Sequence, residues 1–230
     1  MVKNRKHTLI FLKEFSKVPV VHIDVEIDAT PLQKIHEKYQ YTYMSIMSYC
    51  FYNVLKKYTE ETGKFCKESF INFRFVNCKD ITLKGNIDVQ DKSERFVGNF
   101  LLTSQELLSI ERINDKINTS SKIPNRNIEL LNRLPYKIGR FLFHHFVNHE
   151  YFRSKLVGTY SINSIGKFNV DAIYPIIGAS INLSYGRINK QNRMRLVLSF
   201  DHRIIDGGIA SQILEEIQSI IKEININECY

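Results

Sequence analysis

One histidine of this chain sits where a strand must turn into a helix. In residues 196–208, reading LVLSFDHRIIDGG, Leu196, Leu198 and Phe200 alternate with Arg195, Val197 and Ser199, the period of a strand with one buried face. Beyond Gly208, Ile209, Ile213, Leu214, Ile217, Ile220, Ile221 and Ile224 recur at three- and four-residue spacing, which predicts an amphipathic helix packed on a core. His202 falls on the corner between the two elements. A histidine held there can have one ring nitrogen fixed by a local acceptor while the other faces a substrate, which is what a general base near neutral pH requires.

A second histidine group is weaker chemically. His144, His145 and His149 cluster, with His145 and His149 one helical turn apart and Glu150 beside them, and two histidines at that spacing can share a metal. No third ligand follows at a known spacing, and Arg140 and Arg153 flank the group, so a solvated or interface helix is expected and no metal is assigned. Tyr39, Tyr41, Tyr43, Tyr49 and Tyr52 could line an acceptor channel, but aromatic residues so spaced are more often core.

The run His202-Arg203-Ile204-Ile205-Asp206-Gly207 resembles the His-x-x-x-Asp-Gly signature of the superfamily of chloramphenicol acetyltransferase and the dihydrolipoamide acyltransferases. Phe200, Asp201 and Arg203 bring it closer to the second of these. Residues 158–170, reading GTYSINSIGKFNV, look like the strand and glycine turn that precede the histidine motif in these catalytic domains. Residues 21–32, reading VHIDVEIDATPL, are similar to the first long strand and following helix.

The resemblance implies a two-layer α/β fold like that of chloramphenicol acetyltransferase, a mixed sheet covered by helices. It implies a homotrimer, with the histidine of one subunit facing the oxyanion segment of its neighbour. His202 would be the base that takes a proton from an acceptor as it attacks an acyl thioester. Asp206 invites a triad role with His202, but the resemblance implies that it anchors the turn through an arginine, and Gly207 would allow close backbone packing. For the oxyanion the family uses a serine or threonine hydroxyl; alignment on Gly166 puts Asn163 there, with Ser164 adjacent. The expected function is a coenzyme A-dependent acyltransferase acting on a small hydroxyl, amine or thiol acceptor, with acyl-CoA or an acidic acyl carrier protein as donor. The alternative is a catalytically silent trimeric scaffold of the same fold.

Further elements must position these residues. Val21, Ile23, Val25 and Ile27 alternate with His22, Asp24 and Glu26, which predicts a half-buried strand, and Thr30-Pro31 opens a helix. Met47, Cys50, Phe51, Val54, Leu55 and Tyr58 follow helical spacing toward Gly63. Residues 70–102 are strand-like. Thr103-Ser104-Gln105-Glu106 forms a capping box that predicts a helix through Leu107, Leu108, Ile110 and Ile113. Residues 114–135, polar and carrying Pro124 and Pro135, are expected to be a long connection.

The 230 residues suffice for one substantial core, and 43% hydrophobic with 24% charged residues is an ordinary globular composition. We read residues 1–230 as a single acyltransferase catalytic domain with neither a lipoyl nor a subunit-binding domain. The apolar run from Leu9 to Leu12 is too short for a signal peptide core and no stretch approaches a membrane span, so a cytoplasmic protein without membrane association is expected. Cys50, Cys66, Cys78 and Cys229 lack metal-ligand spacing and read as reduced thiols. The net charge of +8 favours anionic partners such as the phosphates of coenzyme A. Its basic groups, Lys3, Arg5 and Lys6 and then Arg187, Lys190, Arg193 and Arg195, accompany no nucleic-acid motif, so nucleic acid is not an expected partner.

Overall fold

The computed structural model describes residues 5–68, 71–91, 94–120 and 126–224; Lys3, Phe70, Pro124 and Cys229 lie outside them. In chain order the elements are α1 (Lys6–Phe15), β1 (Val20–Asp28), α2 (Thr30–Tyr39), α3 (Tyr43–Leu55) and the helical turn α4 (Thr59–Thr62). Then come β2 (Lys64–Glu68), β3 (Phe73–Asn77), β4 (Thr82–Asp91), β5 (Glu94–Thr103), α5 (Ile110–Ser120), α6 (Arg126–Arg133), α7 (Tyr136–Val147) and α8 (Glu150–Leu156). The chain continues through β6 (Tyr160–Ser164), β7 (Ile181–Ile188), β8 (Arg193–Asp201) and α9 (Gly207–Glu223).

Six strands form a mixed sheet in the order β1-β8-β7-β6-β4-β5, while β2 and β3 pair separately. The pairs β4/β6 and β6/β7 are parallel and the rest antiparallel. Register and alternation assign the two faces. Ile23, Leu198, Leu183 and Ile162 line up in one row across four strands, and Val21, Phe200, Ile181, Tyr160 and Leu83 in the next. These rows join Ile46, Phe51 and Leu55 of α3, Ile113 and Ile117 of α5 and Ile213, Ile217 and Ile221 of α9 in one core. Each such aliphatic side chain taken fully out of water contributes about 1.5–3 kcal/mol. The architecture is therefore the expected two-layer α/β arrangement.

The opposite face carries the intervening polar rows, His22, Ser199, Asn182, Ser161 and Lys84 in one and Asp24, Val197, Ser184, Asn163 and Asn86 in another. The connection from β6 to β7 runs over this face. Its Asp171 carbonyl oxygen lies where a Cβ on Gly186 would meet it at 2.0 Å, Arg187 donates its N–H to the Val170 carbonyl, and the Tyr174 ring meets His22 edge-on at 5.6 Å. The half-buried strand expected from the alternation around Leu196 is thus a strand buried on both faces: Val197 and Ser199 are as inaccessible as Leu198. Alternation reported which face meets the helices, and could not report that a loop covers the other.

Several local expectations are corrected. Residues 114–135 are largely helical: α5 runs on to Ser120 and α6 follows before Pro135, whose residue precedes α7. Leu131 of α6 packs on a second, smaller core of Ile10, Phe15, Phe143, Val147 and Val157. The capping box forms in part, since the Thr103 N–H and hydroxyl both donate to Glu106 (2.8 and 3.0 Å), but it opens only a short 3-10 turn, Glu106–Leu108. The α-helix begins at Ile110. Tyr52 is buried and Tyr39, Tyr41, Tyr43 and Tyr49 pack partly buried against the main core, so they are core residues. Among the described residues no helix is long and apolar enough to cross a membrane.

Candidate active site

β8 delivers the chain to His202 and α9 carries it away, as the two periodicities require. Between them, Asp201 organises the turn. Its carbonyl oxygen accepts from the N–H groups of Ile204 (2.9 Å) and Ile205 (3.1 Å), and its own N–H donates to Ser180. Its carboxylate accepts from the Arg203 guanidinium at both oxygens, Nε at 2.9 Å and Nη2 at 2.6 Å, and from the Arg203 backbone N–H at 3.1 Å. Asp201 is buried, and this paired geometry holds the Arg203 pKa above its already high ordinary value. The outer edge of Arg203 reaches Glu68, which ties the turn to the β2/β3 hairpin.

The imidazole of His202 is exposed at this corner. Its Nδ1 lies 3.0 Å from the Ile205 carbonyl oxygen, and its backbone N–H donates to the Pro19 carbonyl at 3.1 Å. A carbonyl can only accept, so Nδ1 carries the proton in the neutral ring and Nε2 keeps its lone pair. The Phe200 ring meets the imidazole edge-on, 5.8 Å between centroids. His202 thus has a fixed tautomer, with Nε2 left as the basic nitrogen of an exposed ring.

Asp206 does not take the anchoring part expected of it within this chain. It is exposed at the N-cap of α9, its side chain makes no capping hydrogen bond, and among the described residues no arginine pairs with it. Asp201 does that work, because the turn brings it and Arg203 together over two residues. Gly207 also departs from expectation: a Cβ there would meet nothing within 4 Å, so packing within the chain does not call for glycine.

Asn163 and Ser164 separate onto opposite faces of the sheet, as strand alternation demands. Ser164 accepts from the Gly166 N–H at 3.2 Å and lies against the Tyr185 hydroxyl, whose pKa burial pushes up. Asn163 lies on the polar face in a network. Asn86 donates to its Oδ1 (2.9 Å), and its Nδ2 donates to Asn182 Oδ1 (2.8 Å). Ser161 also donates to Asn182 Oδ1 (2.9 Å), and Asn182 Nδ2 donates to Ser184 (2.7 Å). Asn182 and Ser184 are fully buried, which is tolerable only because their polar atoms are matched. Asn86, Ser161, Asn182 and Ser184 were not singled out from sequence. The signal was present in the polar alternation of Asn182 and Ser184 with Ile181, Leu183 and Tyr185.

His202 and Asn163 do not meet in one chain. Asn163 pairs with Ser184, which pairs with Val197, and His202 lies five residues further along the chain, just past the end of β8, about 16 Å at strand rise.

The remaining groups from sequence are accounted for. His144 pairs with Glu14 at 2.8 Å, and His149 lies beyond the end of α7 and caps α8 by accepting from the Tyr151 N–H, so His145 and His149 do not share a helix. No group of three metal-ligating side chains occurs among the described residues. Arg187, Lys190, Arg193 and Arg195 line a cleft of about 460 Å³ at the opposite end of β8 from His202. Its three arginines are each paired, with Asp171, Glu26 and Asp24 respectively.

Residues 155–228 match the family model described as the 2-oxoacid dehydrogenases acyltransferase (catalytic domain). Over 80 residues the chain is 34% identical to dihydrolipoyllysine-residue acetyltransferase component 5 of the chloroplastic pyruvate dehydrogenase complex of Arabidopsis thaliana, a match covering 29% of this chain and 17% of that protein. A truncated catalytic core of the 2-oxoacid dehydrogenase multienzyme complex from Thermoplasma acidophilum superposes with a TM-score of 0.70 at 18% identity, over 98% of this chain and 97% of that one. A chloramphenicol acetyltransferase superposes with a TM-score of 0.57 at 12% identity, covering 94% of each chain. Over its length the chain thus shares its fold with these two solved structures, and over residues 155–228 it is similar in sequence to the 2-oxoacid dehydrogenase acyltransferase catalytic domain.

Proposed function

We propose that the protein is an acyltransferase that moves an acyl group from a thioester, coenzyme A being the preferred donor, to a small hydroxyl, amine or thiol acceptor. The observation that carries this reading is the fixed tautomer of His202, with Nδ1 held by Ile205 and Nε2 without a hydrogen-bond partner among the described residues on an exposed side chain. In the reaction Nε2 takes the acceptor proton as the acceptor atom bonds to the thioester carbonyl carbon. The carbonyl oxygen becomes an oxyanion. Collapse breaks the carbon–sulfur bond, and the thiolate leaves with the proton returned from Nε2.

The oxyanion needs a fixed donor, and Asn163 has an amide N–H to offer. Its distance from His202 within one chain supports an oligomeric site in which His202 faces Asn163 of the partner subunit, as expected for a homotrimer. An acyl carrier protein remains the alternative donor, favoured by the net charge of +8.

A screen of acyl-CoA thioesters for acceptor-dependent release of free thiol, with dihydrolipoamide and chloramphenicol among the acceptors, tests the proposal. Acceptor-dependent thiol release supports it. No release with CoA or carrier-bound donors overturns it in favour of a silent scaffold.

A further inference from the structure

Resting on the acyl-transfer reading, we infer that Asn86 and Asn182 are positioning residues that set which end of the Asn163 amide faces the reacting carbonyl. A hydroxyl, the group usual at this place in the superfamily, rotates to donate wherever an oxyanion forms. An amide does not: its nitrogen donates and its oxygen repels an anion, and a half-turn about one bond exchanges them. An asparagine here therefore works only if its neighbours fix its orientation before the reaction, since a donor that must reorient during it loses its advantage.

The strands on either side of β6 supply that constraint. From β4, Asn86 donates to Asn163 Oδ1 at 2.9 Å, and from β7, Asn182 Oδ1 accepts from Asn163 Nδ2 at 2.8 Å. The Asn182 oxygen also accepts from Ser161 and its nitrogen donates to the buried Ser184. Those two hydroxyls would match either end of an amide, so the orientation is set among the three amides of Asn86, Asn163 and Asn182, which must all point the same way for the chain of bonds to close. Asn163 Nδ2 carries two hydrogens and Asn182 takes one. The second has no partner among the described residues, on a side chain that is only partly buried. That hydrogen is the one left for the oxyanion. The chain of donors, Asn86 to Asn163 to Asn182 to Ser184, runs across β4, β6 and β7 and is tied to strand register.

The test is a set of variants read as kcat and KM separately, each checked for native oligomeric state and melting temperature. Asn163→Ala should lower kcat on the order of 100-fold, as loss of one oxyanion donor does. Asn86→Ala and Asn182→Ala should each lower kcat at least about tenfold with KM for the thioester unchanged, and combining either with Asn163→Ala should add nothing, because both act through that amide. Asn86→Asp keeps the shape but removes the donor and offers an acceptor, so it should be as damaging as Asn86→Ala; being exposed, that position leaves folding intact.

If the native protein transfers acyl groups through His202 while the Asn86 and Asn182 variants keep kcat within about twofold, or their losses multiply with that of Asn163→Ala, the inference is overturned and the acyl-transfer reading stands. If the native protein transfers nothing, both fall together.

Discussion

Asp201 and Arg203 flank His202 and are joined by two short contacts, 2.9 and 2.6 Å, that close the turn beneath the imidazole. The same Asp201 accepts from the Ile205 N–H, and the Ile205 carbonyl holds His202 Nδ1. Asp201→Ala removes the bidentate partner of a partly exposed Arg203 that keeps Glu68, and should cost about 1.5–3 kcal/mol of stability along with most of any activity. Asp206→Ala, at an exposed N-cap, removes only a favourable interaction with the helix dipole, about 0.3–1 kcal/mol. Chemical denaturation of the two variants side by side measures the difference; a larger loss from Asp206→Ala would mean that Asp206 finds its partner across a subunit boundary.

The two candidate oxyanion residues are distinguished by the sheet face each occupies. Asn163→Ser restores a hydroxyl on the polar face and should keep or raise kcat, whereas Ser164→Ala, on the helix-covered face, should leave kcat and the KM for the thioester unchanged. Steady-state kinetics on the pair decides, and a kinetic defect confined to Ser164→Ala would contradict the facing assigned to β6.

Much of this framework was legible in the sequence. The strand, turn and helix around His202 follow from a two-residue period giving way to a 3.6-residue one, and both elements formed where expected. The α6 helix was hidden because its flanking prolines and polar residues look like a loop; Leu131 seated on the second core and Asn132 bonded to Lys6 and His7 of α1 dock it. The Asp201–Arg203 pair was hidden differently. Spacing cannot show that two residues on either side of a histidine will meet, since that depends on the turn's hydrogen bonds to the Asp201 carbonyl. Likewise Asn86 and Asn182 reach Asn163 only through strand register, which joins positions far apart in the chain.

Two glycines should respond oppositely to the same change. On Gly186→Ala, the new Cβ meets the Asp171 carbonyl at 2.0 Å, so the connection covering β7 must lift, at a cost of about 1–3 kcal/mol or more. Gly207→Ala meets nothing, begins a helix, and should be neutral or stabilising by up to about 1 kcal/mol. Thermal melts of both variants provide the comparison.

Lys84, on the polar face of β4 with its Nζ donating to the Leu156 carbonyl, has its pKa lowered by burial to about 8. A lysine with a folded pKa below its unfolded value binds fewer protons folded than unfolded between the two, so stability rises with pH there. The cost of burying its charge is in full force below about pH 8 and is relieved toward pH 10.5. The difference in melting temperature between Lys84→Met and the native protein should therefore be largest near pH 7 and shrink as pH rises through 8 to 10. A difference that stays constant over that range would show that Lys84 is as solvated folded as unfolded.

A site shared between subunits makes a prediction that a site within one chain does not. Oligomers of His202→Ala and of Asn163→Ala, each impaired alone, should recover part of the native rate after being dissociated together and reassembled, because some interfaces then combine an intact His202 with an intact Asn163 of the partner subunit. Recovery of nothing in verified mixed oligomers would place both residues' action within one chain.

The most direct measurement is single-turnover release of free thiol from an acyl-CoA donor and its acceptor, comparing the native protein with His202→Ala. Acceptor-dependent release is expected from the native protein, and its loss in His202→Ala with the melting temperature and oligomeric state unchanged, since the side chain is exposed and acts on substrate. Release at the native rate by a folded His202→Ala protein would contradict that expectation.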